Sequence, residues 1–205
     1  MRLEQFAFSF QWRNYHGIRN AAWTLPKMFL ALNHQRKNIR RIEIAPLYSG
    51  NAGLEGVDLS GYEALEELSL PSTNMTTTNG VDEILSAPKL QKFVWCFIDA
   101  SPRGGVSMTL DQFQEEQETW LRRLLATAAE RKHALRQVKI DWEPRNDVKS
   151  KNSAKQWVYP WDRLERLLDE GREVGIEVMY SPPTFTRETF ESVWIERDKK
   201  DGEGS

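Results

Sequence analysis

Asp141 and Glu143 stand two residues apart in Asp141-Trp-Glu143, directly after the apolar stretch Val138-Lys-Ile140. Residues two apart on a strand project from the same face. Two carboxylates so placed can serve as an acid and a stabilising carboxylate in glycoside hydrolysis, and barrel enzymes carry such groups at the carboxyl ends of their strands. This is the sharpest enzymatic arrangement in the chain, and it defines one alternative: a fragment of a barrel-type glycoside hydrolase using Asp141 and Glu143. No second acidic strand end accompanies the pair, and charged strand ends are common, so the expectation is a chain without catalytic residues. His16, His34 and His133 fall at no metal-ligand spacing and Cys96 is the single cysteine, so no metal is expected. Gly104-Gly105 is too short for a phosphate loop and no lysine follows it, and no cofactor is expected either. The basic run His34-Gln-Arg-Lys-Asn-Ile-Arg-Arg41 reads as a helix-to-strand corner, where cations sit well near a helix carboxyl terminus, rather than as a nucleic-acid patch.

The elements that must position these groups are written in a repeated phrase, apolar-x-x-apolar-x-apolar. It reads Leu3-Glu-Gln-Phe6-Ala-Phe8, Ile39-Arg-Arg-Ile42-Glu-Ile44, Leu65-Glu-Glu-Leu68-Ser-Leu70, Leu90-Gln-Lys-Phe93-Val-Trp95 and Leu135-Arg-Gln-Val138-Lys-Ile140. A weaker copy, Ile176-Glu-Val178-Met-Tyr180, keeps the alternating second half. Alternation places the fourth and sixth positions on one face of a strand and the third, fifth and seventh on the other. Such units cannot bury an apolar face alone and must stack on one another. At the fourth position the copies fall at 6, 42, 68, 93, 138 and 176, giving intervals of 36, 26, 25, 45 and 38 residues.

The connectors differ. Leu25, Met28, Phe29 and Leu32 follow helical spacing, the stretch from Ile44 to Leu65 is loop-like with Gly50, Gly53, Gly56 and Gly61 at turns, and Val81 to Leu85 makes a short helical turn stopped near Pro88. After a turn at Ser101–Gly105, a long helix is expected over about 110–133, with Thr109 and Gln112 as a capping box. Phe113, Trp120, Leu121, Leu124, Leu125 and Ala128 form its apolar stripe, and Glu118 and Arg122 are expected to pair on its polar side. Arg145 to Gln156 reads as an exposed loop. A second helix is expected from Trp161 to Val174 behind Pro160, with Leu164, Leu167 and Leu168 inward and Gly175 as a left-handed cap. A last amphipathic segment, about Thr186 to Ile195, gives way to a charged tail over 198–205 that reads as disordered.

The chain has 205 residues, 40% hydrophobic and 28% charged, with a net charge of −2, which suits a folded protein not built to attract phosphate backbones or anionic lipid. One cysteine excludes an internal disulfide framework and fits a reducing compartment. No apolar run approaches the roughly 20 residues of a membrane helix, and no signal-peptide pattern opens the chain. A cytoplasmic or nuclear protein without membrane or nucleic-acid partners is expected. The tryptophans at 12, 23, 95, 120, 142, 157, 161 and 194 read chiefly as fillers of wide gaps between irregular units, with Trp95 facing the core.

Ala64-Leu-Glu-Glu-Leu-Ser-Leu70 and Ile84-Leu-Ser-Ala-Pro-Lys-Leu-Gln-Lys-Phe93 resemble leucine-rich repeats of the degenerate kind found in fungal F-box-type proteins. The block from Trp120 through Leu135-Arg-Gln-Val-Lys-Ile140 resembles the same group, as does Tyr159-Pro-Trp-Asp-Arg-Leu164 with Gly175 to Pro183. The resemblance covers most of the chain from about residue 39. It implies substrate capture by the repeats, while an F-box ahead of them docks a Skp-type adaptor of a cullin ubiquitin ligase. That F-box is absent here: Leu25-Pro26 resembles its opening but lies between two repeat strands, so a Skp-type adaptor is expected only if an F-box precedes this segment.

The expected fold is therefore α/β, an irregular leucine-rich-repeat solenoid of about six parallel strands with helical and loop connectors. It would occupy residues 1–197 as the C-terminal part of a longer array. Function is expected from the face formed by the third, fifth and seventh positions, a concave surface of mixed charge suited to a protein partner. Its candidate contacts are Arg41, Glu43, Glu67, Ser69, Lys92, Val94, Gln137, Lys139 and Asp141. The expected activity is non-catalytic protein binding, with a truncated fragment lacking independent function as the remaining alternative.

Overall fold

Each copy of the phrase folds as a strand and fastens its start to the copy before it. In the computed structural model, which describes residues 3–8, 24–45, 53–72, 80–97, 113–142, 158–184 and 186–192, the strands are β1 (Gln5–Phe8), β2 (Arg41–Ile44), β3 (Glu67–Pro71), β4 (Lys92–Cys96), β5 (Gln137–Asp141) and β6 (Glu177–Tyr180). The carbonyl at the second position of one copy accepts two successive N–H groups from the next. Glu4 O takes Arg40 and Arg41 N–H at 2.7 and 3.2 Å, Arg40 O takes Glu66 and Glu67 at 2.8 and 3.0 Å, Glu66 O takes Gln91 and Lys92 at 2.9 and 3.0 Å, and Gln91 O takes Arg136 and Gln137 at 2.8 and 3.0 Å.

All six strands are parallel and lie in sequence order in one sheet whose edges, β1 and β6, do not meet, so the sheet is not closed. The register matches the phrase: Phe6, Ile42, Leu68, Phe93, Val138 and Val178 share one row. The sixth copy is thereby corrected. Val178, not Ile176, stands opposite Val138, so the last interval is 40 residues (138 to 178) rather than 38. Ile176 occupies the second position, but its N–H turns back to Gly171 O at 2.8 Å, leaving only Glu177 N–H to bond Arg136 O.

Helices bury the apolar side of the sheet. α1 (Leu25–Leu32) starts at Thr24, whose hydroxyl accepts the Lys27 N–H, and buries Leu25, Met28, Phe29 and Leu32 as their spacing predicts. A short 3-10 turn, Asn33–Gln35, follows. α2 (Val81–Ile84) is the expected single turn. α3 (Glu115–Glu130) buries Trp120, Leu121, Leu124, Leu125 and Ala128 of the predicted stripe, while Phe113 is buried from the chain just ahead of the helix. It begins later than the sequence suggests: Gln114 is the N-cap, and its N–H donates to Gln117 Oε1 at 2.8 Å, while Thr109 and Gln112 lie outside the described residues. α4 (Pro160–Glu173) opens on a proline, favoured at a first helical position, and buries Leu164 and Leu167 with Leu168 half-buried. Gly175 closes it at φ 73°. Gly175 N–H bonds Arg172 O and Ile176 N–H bonds Gly171 O, the two bonds of a Schellman turn. A last helical segment, 187–192, sets Phe190 against Tyr159 at 5.6 Å.

One continuous cluster joins the strand rows to every described helix. It includes a run of aromatic contacts: the Trp95 ring lies 4.7 Å from Trp120 and 4.8 Å from Phe97, and Trp142 lies 5.4 Å from Trp161. These four tryptophans are gap-fillers, buried as expected; Trp12, Trp23, Trp157 and Trp194 lie outside the described residues. The exposed-loop reading of 145–156, the turn at 101–105 and the tail at 198–205 also fall outside them.

Candidate functional site

The third, fifth and seventh positions share the opposite face of the sheet and align in rows. Gln5, Arg41, Glu67, Lys92, Gln137 and Glu177 form the first row, strand by strand. Opposite charges adjoin along it: Glu67 lies 3.7 Å from Arg41 and 3.2 Å from Lys92, and Gln137 Nε2 donates to Glu177 at 2.7 Å. The second row carries Ala7, Glu43, Ser69, Val94, Lys139 and Met179. Pairs also run along single strands, Arg41 to Glu43 at 3.2 Å and Lys139 to Asp141 at 3.4 Å. Residues two apart on one face of a strand are neighbours, which is why the alternation of the phrase produces these contacts.

The predicted contact residues thus lie on a common face, but they are not equally available. Arg41, Glu43 and Lys139 keep 46, 52 and 40% of their side-chain surface exposed. Lys92, Glu67 and Asp141 are partly covered, and Gln137 is half-buried. Ser69 and Val94 are buried, at 5 and 6% exposure. Alternation alone assigned them to an open surface, and they are withdrawn from the set a partner can touch.

Beside them lies a small polar group. Ser69 Oγ is 3.3 Å from Cys96 Sγ, and that sulfur is 3.9 Å from Asp141 Oδ2. Burial pushes the Cys96 thiol up, against the Ser69 hydrogen bond, and the carboxylates of Asp141 and Glu43 push the same way. A thiol held protonated is a poor nucleophile. Asp141 is committed to Lys139, the following Trp142 is buried in the core, and Glu143 lies outside the described residues. Among the described residues no group of three or more His, Cys, Asp or Glu side chains could hold a metal ion. No described helix is long and apolar enough to cross a membrane.

The basic run at 34–41 is matched by carboxylates. Lys37 lies 3.8 Å from Glu63, Arg40 3.3 Å from Glu66, and Arg41 takes Glu43 and Glu67. Lys37, Arg40 and Arg41 thus tie this corner to the next unit through Glu63, Glu66 and Glu67, ion pairs that the helix-end reading of the run did not foresee.

The most concentrated charge lies elsewhere, between α3 and α4, and sequence reasoning misplaced it. Glu118 does pair with Arg122 at 3.0 Å, but it is buried, at 2% exposure, not on a polar side. Arg163 donates to it at 2.6 Å and Arg166 at 2.9 and 3.1 Å, while Arg122 also reaches Glu170 at 2.8 Å. Burial raises the Glu118 pKa, and the Arg166 and Arg163 hydrogen bonds outweigh it and hold the carboxyl below the usual range. The signal available in the sequence was the spacing Arg163-x-x-Arg166, which sets two cations on one face of α4. The cluster is a helix clamp rather than a docking surface.

Fold and face together define an α/β protein with an open, all-parallel, six-stranded sheet assembled from a repeated strand unit. Comparison with protein families, with curated proteins and with solved structures found no match.

Proposed function

We propose that this chain is a leucine-rich-repeat-type solenoid segment that works as a non-catalytic protein-interaction module, binding through the charged face of its sheet. The observation that carries the reading is the in-register row Arg41–Glu67–Lys92, flanked by Glu43, Lys139 and Asp141. It presents both signs of charge at fixed spacing on a rigid ladder. A single-sign field would suit a phosphate backbone; alternating charge suits another protein, where complementarity sets specificity more than raw affinity. The resemblance to fungal F-box-type repeats makes the partner a substrate of a ubiquitin ligase. A Skp-type adaptor joins where an F-box precedes the segment in a longer chain.

The test is retention of proteins from cell extract by the immobilised chain and by two variants. One reverses charge on the face, Arg41→Glu with Lys92→Glu; the other, Arg172→Ala, changes an exposed helix residue away from it. A defined protein held by the native chain and by Arg172→Ala, and lost with the face variant, supports the reading. An identical set on all three, or none on any, overturns it. Glycoside hydrolysis that disappears in Glu143→Gln would overturn it as well.

A further inference from the structure

His133 sits in the turn between α3 and β5, and its ring is engaged at both nitrogens. Nε2 lies 2.9 Å from the Ala87 carbonyl oxygen, in the turn ahead of β4, and Leu135 N–H donates to Nδ1 at 3.1 Å. A carbonyl can only accept, so Nε2 must carry the proton; a nitrogen that accepts from an amide must be bare. The two bonds together require the neutral ring in one tautomer. Leu135 is the fully buried anchor of the fifth phrase, and the next two amides, Arg136 and Gln137, open the β4–β5 ladder at Gln91 O. The ring therefore stitches two successive turns at the point where their strands begin to pair.

Charges around the ring oppose a proton at Nδ1. Arg131 and Arg136 act on it from its own turn, and Arg136 donates to the His133 and Leu135 carbonyls at 2.9 Å each. From α2, Asp82 is engaged by Arg131 and Arg123, and Glu83 accepts the Gly80 N–H. Burial holds the imidazole below its ordinary value, with the Ala87 and Leu85 carbonyls pulling the other way.

We infer that His133 is a proton-sensitive pin: neutral, it holds the turns ahead of β4 and β5 together, and protonated at Nδ1 it releases the Leu135 amide and loosens the start of their ladder. Because a histidine in the unfolded chain titrates near about 6.5 and this one titrates lower, its contribution is complete above about that pH and is lost as pH falls below it. The inference is independent of what the sheet face binds, although Lys92 and Gln137 of that face stand on the ladder concerned.

Nitrogen-15 NMR of the full chain reads the ring directly. The expected result is the Nε2–H tautomer at neutral pH with a midpoint below that of free histidine. Amide exchange at Leu135, Arg136 and Gln137, corrected for intrinsic rate, should rise several-fold between about pH 7 and about pH 5. It should stay flat over that range in His133→Gln, which has no titrating ring. An Nδ1–H tautomer, a midpoint at or above the free value, or an equal rise in both proteins overturns the inference. If His133→Gln does not fold, the tautomer and midpoint of the native ring decide.

Discussion

Arg163 on α4 donates a 2.6 Å hydrogen bond to Glu118 on α3, 45 residues earlier, and the two side chains keep only 10 and 3% of their surface in contact with solvent. Withdrawing such ions from water costs several kcal/mol each. The geometry offsets this with three guanidinium groups around one carboxylate, two of them on α4 and one on α3. The offset is incomplete, since Arg163 Nε is buried without a hydrogen-bond partner. A pair so constructed orients the two helices more than it strengthens them, because any other helix register would leave a buried charge alone.

Removing the anion should therefore be severe. Glu118→Ala leaves Arg163 buried and unpaired and is expected to lower stability by about 3–5 kcal/mol, read from urea unfolding; a loss under about 1 kcal/mol, the range of exposed pairs, would count against the clamp. The pH dependence has a definite sign. The Glu118 carboxyl titrates below its unfolded value, so its contribution is complete above about pH 4.3 and disappears as pH falls through the lower folded value. Glu118→Gln should flatten that part of the acid-unfolding curve.

Where α4 meets β6 there is no room for a methyl group. A Cβ on Gly171 would fall 2.6 Å from Ile176 O and 2.6 Å from Val178 Cγ2, one of them backbone and unable to yield. Gly171→Ala is expected to destabilise by about 1–3 kcal/mol, the range for overfilled cores. Gly61 is the control: its Cβ would meet only the Arg36 side chain, at 3.0 Å, which can swing away. A thermal melt in which the two alanine variants shift equally would refute the steric account.

The repeated phrase made the sheet legible, because three apolar offsets per copy specify strand, face and register together; Leu68 and Phe93 are opposite each other as their positions in the phrase demand. The phrase misled at Ile176, where the helix cap takes the second-position amide for Gly171 and displaces the row to Val178. It also misled at Ser69 and Val94, since alternation reports direction and not exposure. Glu118 was illegible for a related reason. Helical spacing paired it correctly with Arg122, but its burial is imposed by Arg163 and Arg166, from a helix more than forty residues away.

Two successive helix-to-strand junctions use the same Schellman turn with different residues at its left-handed position. After α4 it is Gly175, at φ 73°; after α3 it is Lys132, at φ 51°, with His133 N–H on Ala128 O at 2.8 Å and Lys132 N–H on Ala129 O at 3.0 Å. A side chain there costs roughly 1–2 kcal/mol, whereas glycine loses about 0.5–1 kcal/mol more entropy on folding. Lys132→Gly should accordingly stabilise by up to about 1 kcal/mol, and Gly175→Ala should destabilise by a similar amount. Opposite shifts of the melting temperature are the expected outcome; a loss in both would mean that the lysine side chain contributes a contact worth more than the strain.

Glu67 holds the centre of the charged row, between Arg41 at 3.7 Å and Lys92 at 3.2 Å. Both Glu67 and Lys92 are partly covered, so each pair should lie near the upper end of the about 0.2–1 kcal/mol of exposed pairs and weaken with salt, and Lys92→Ala should lower stability by no more than about 1 kcal/mol. Glu67→Lys sets three cations side by side on adjacent strands, and the repulsion is expected to cost about 1–2 kcal/mol at low ionic strength, recovered in part as salt is added. The same substitution separates structure from recognition. If the face binds a partner, Glu67→Lys should abolish capture while the chain stays folded, by circular dichroism and a cooperative melt. Capture that survives the reversal would assign the row to cohesion between strands alone, and the binding surface would then have to lie elsewhere on the protein.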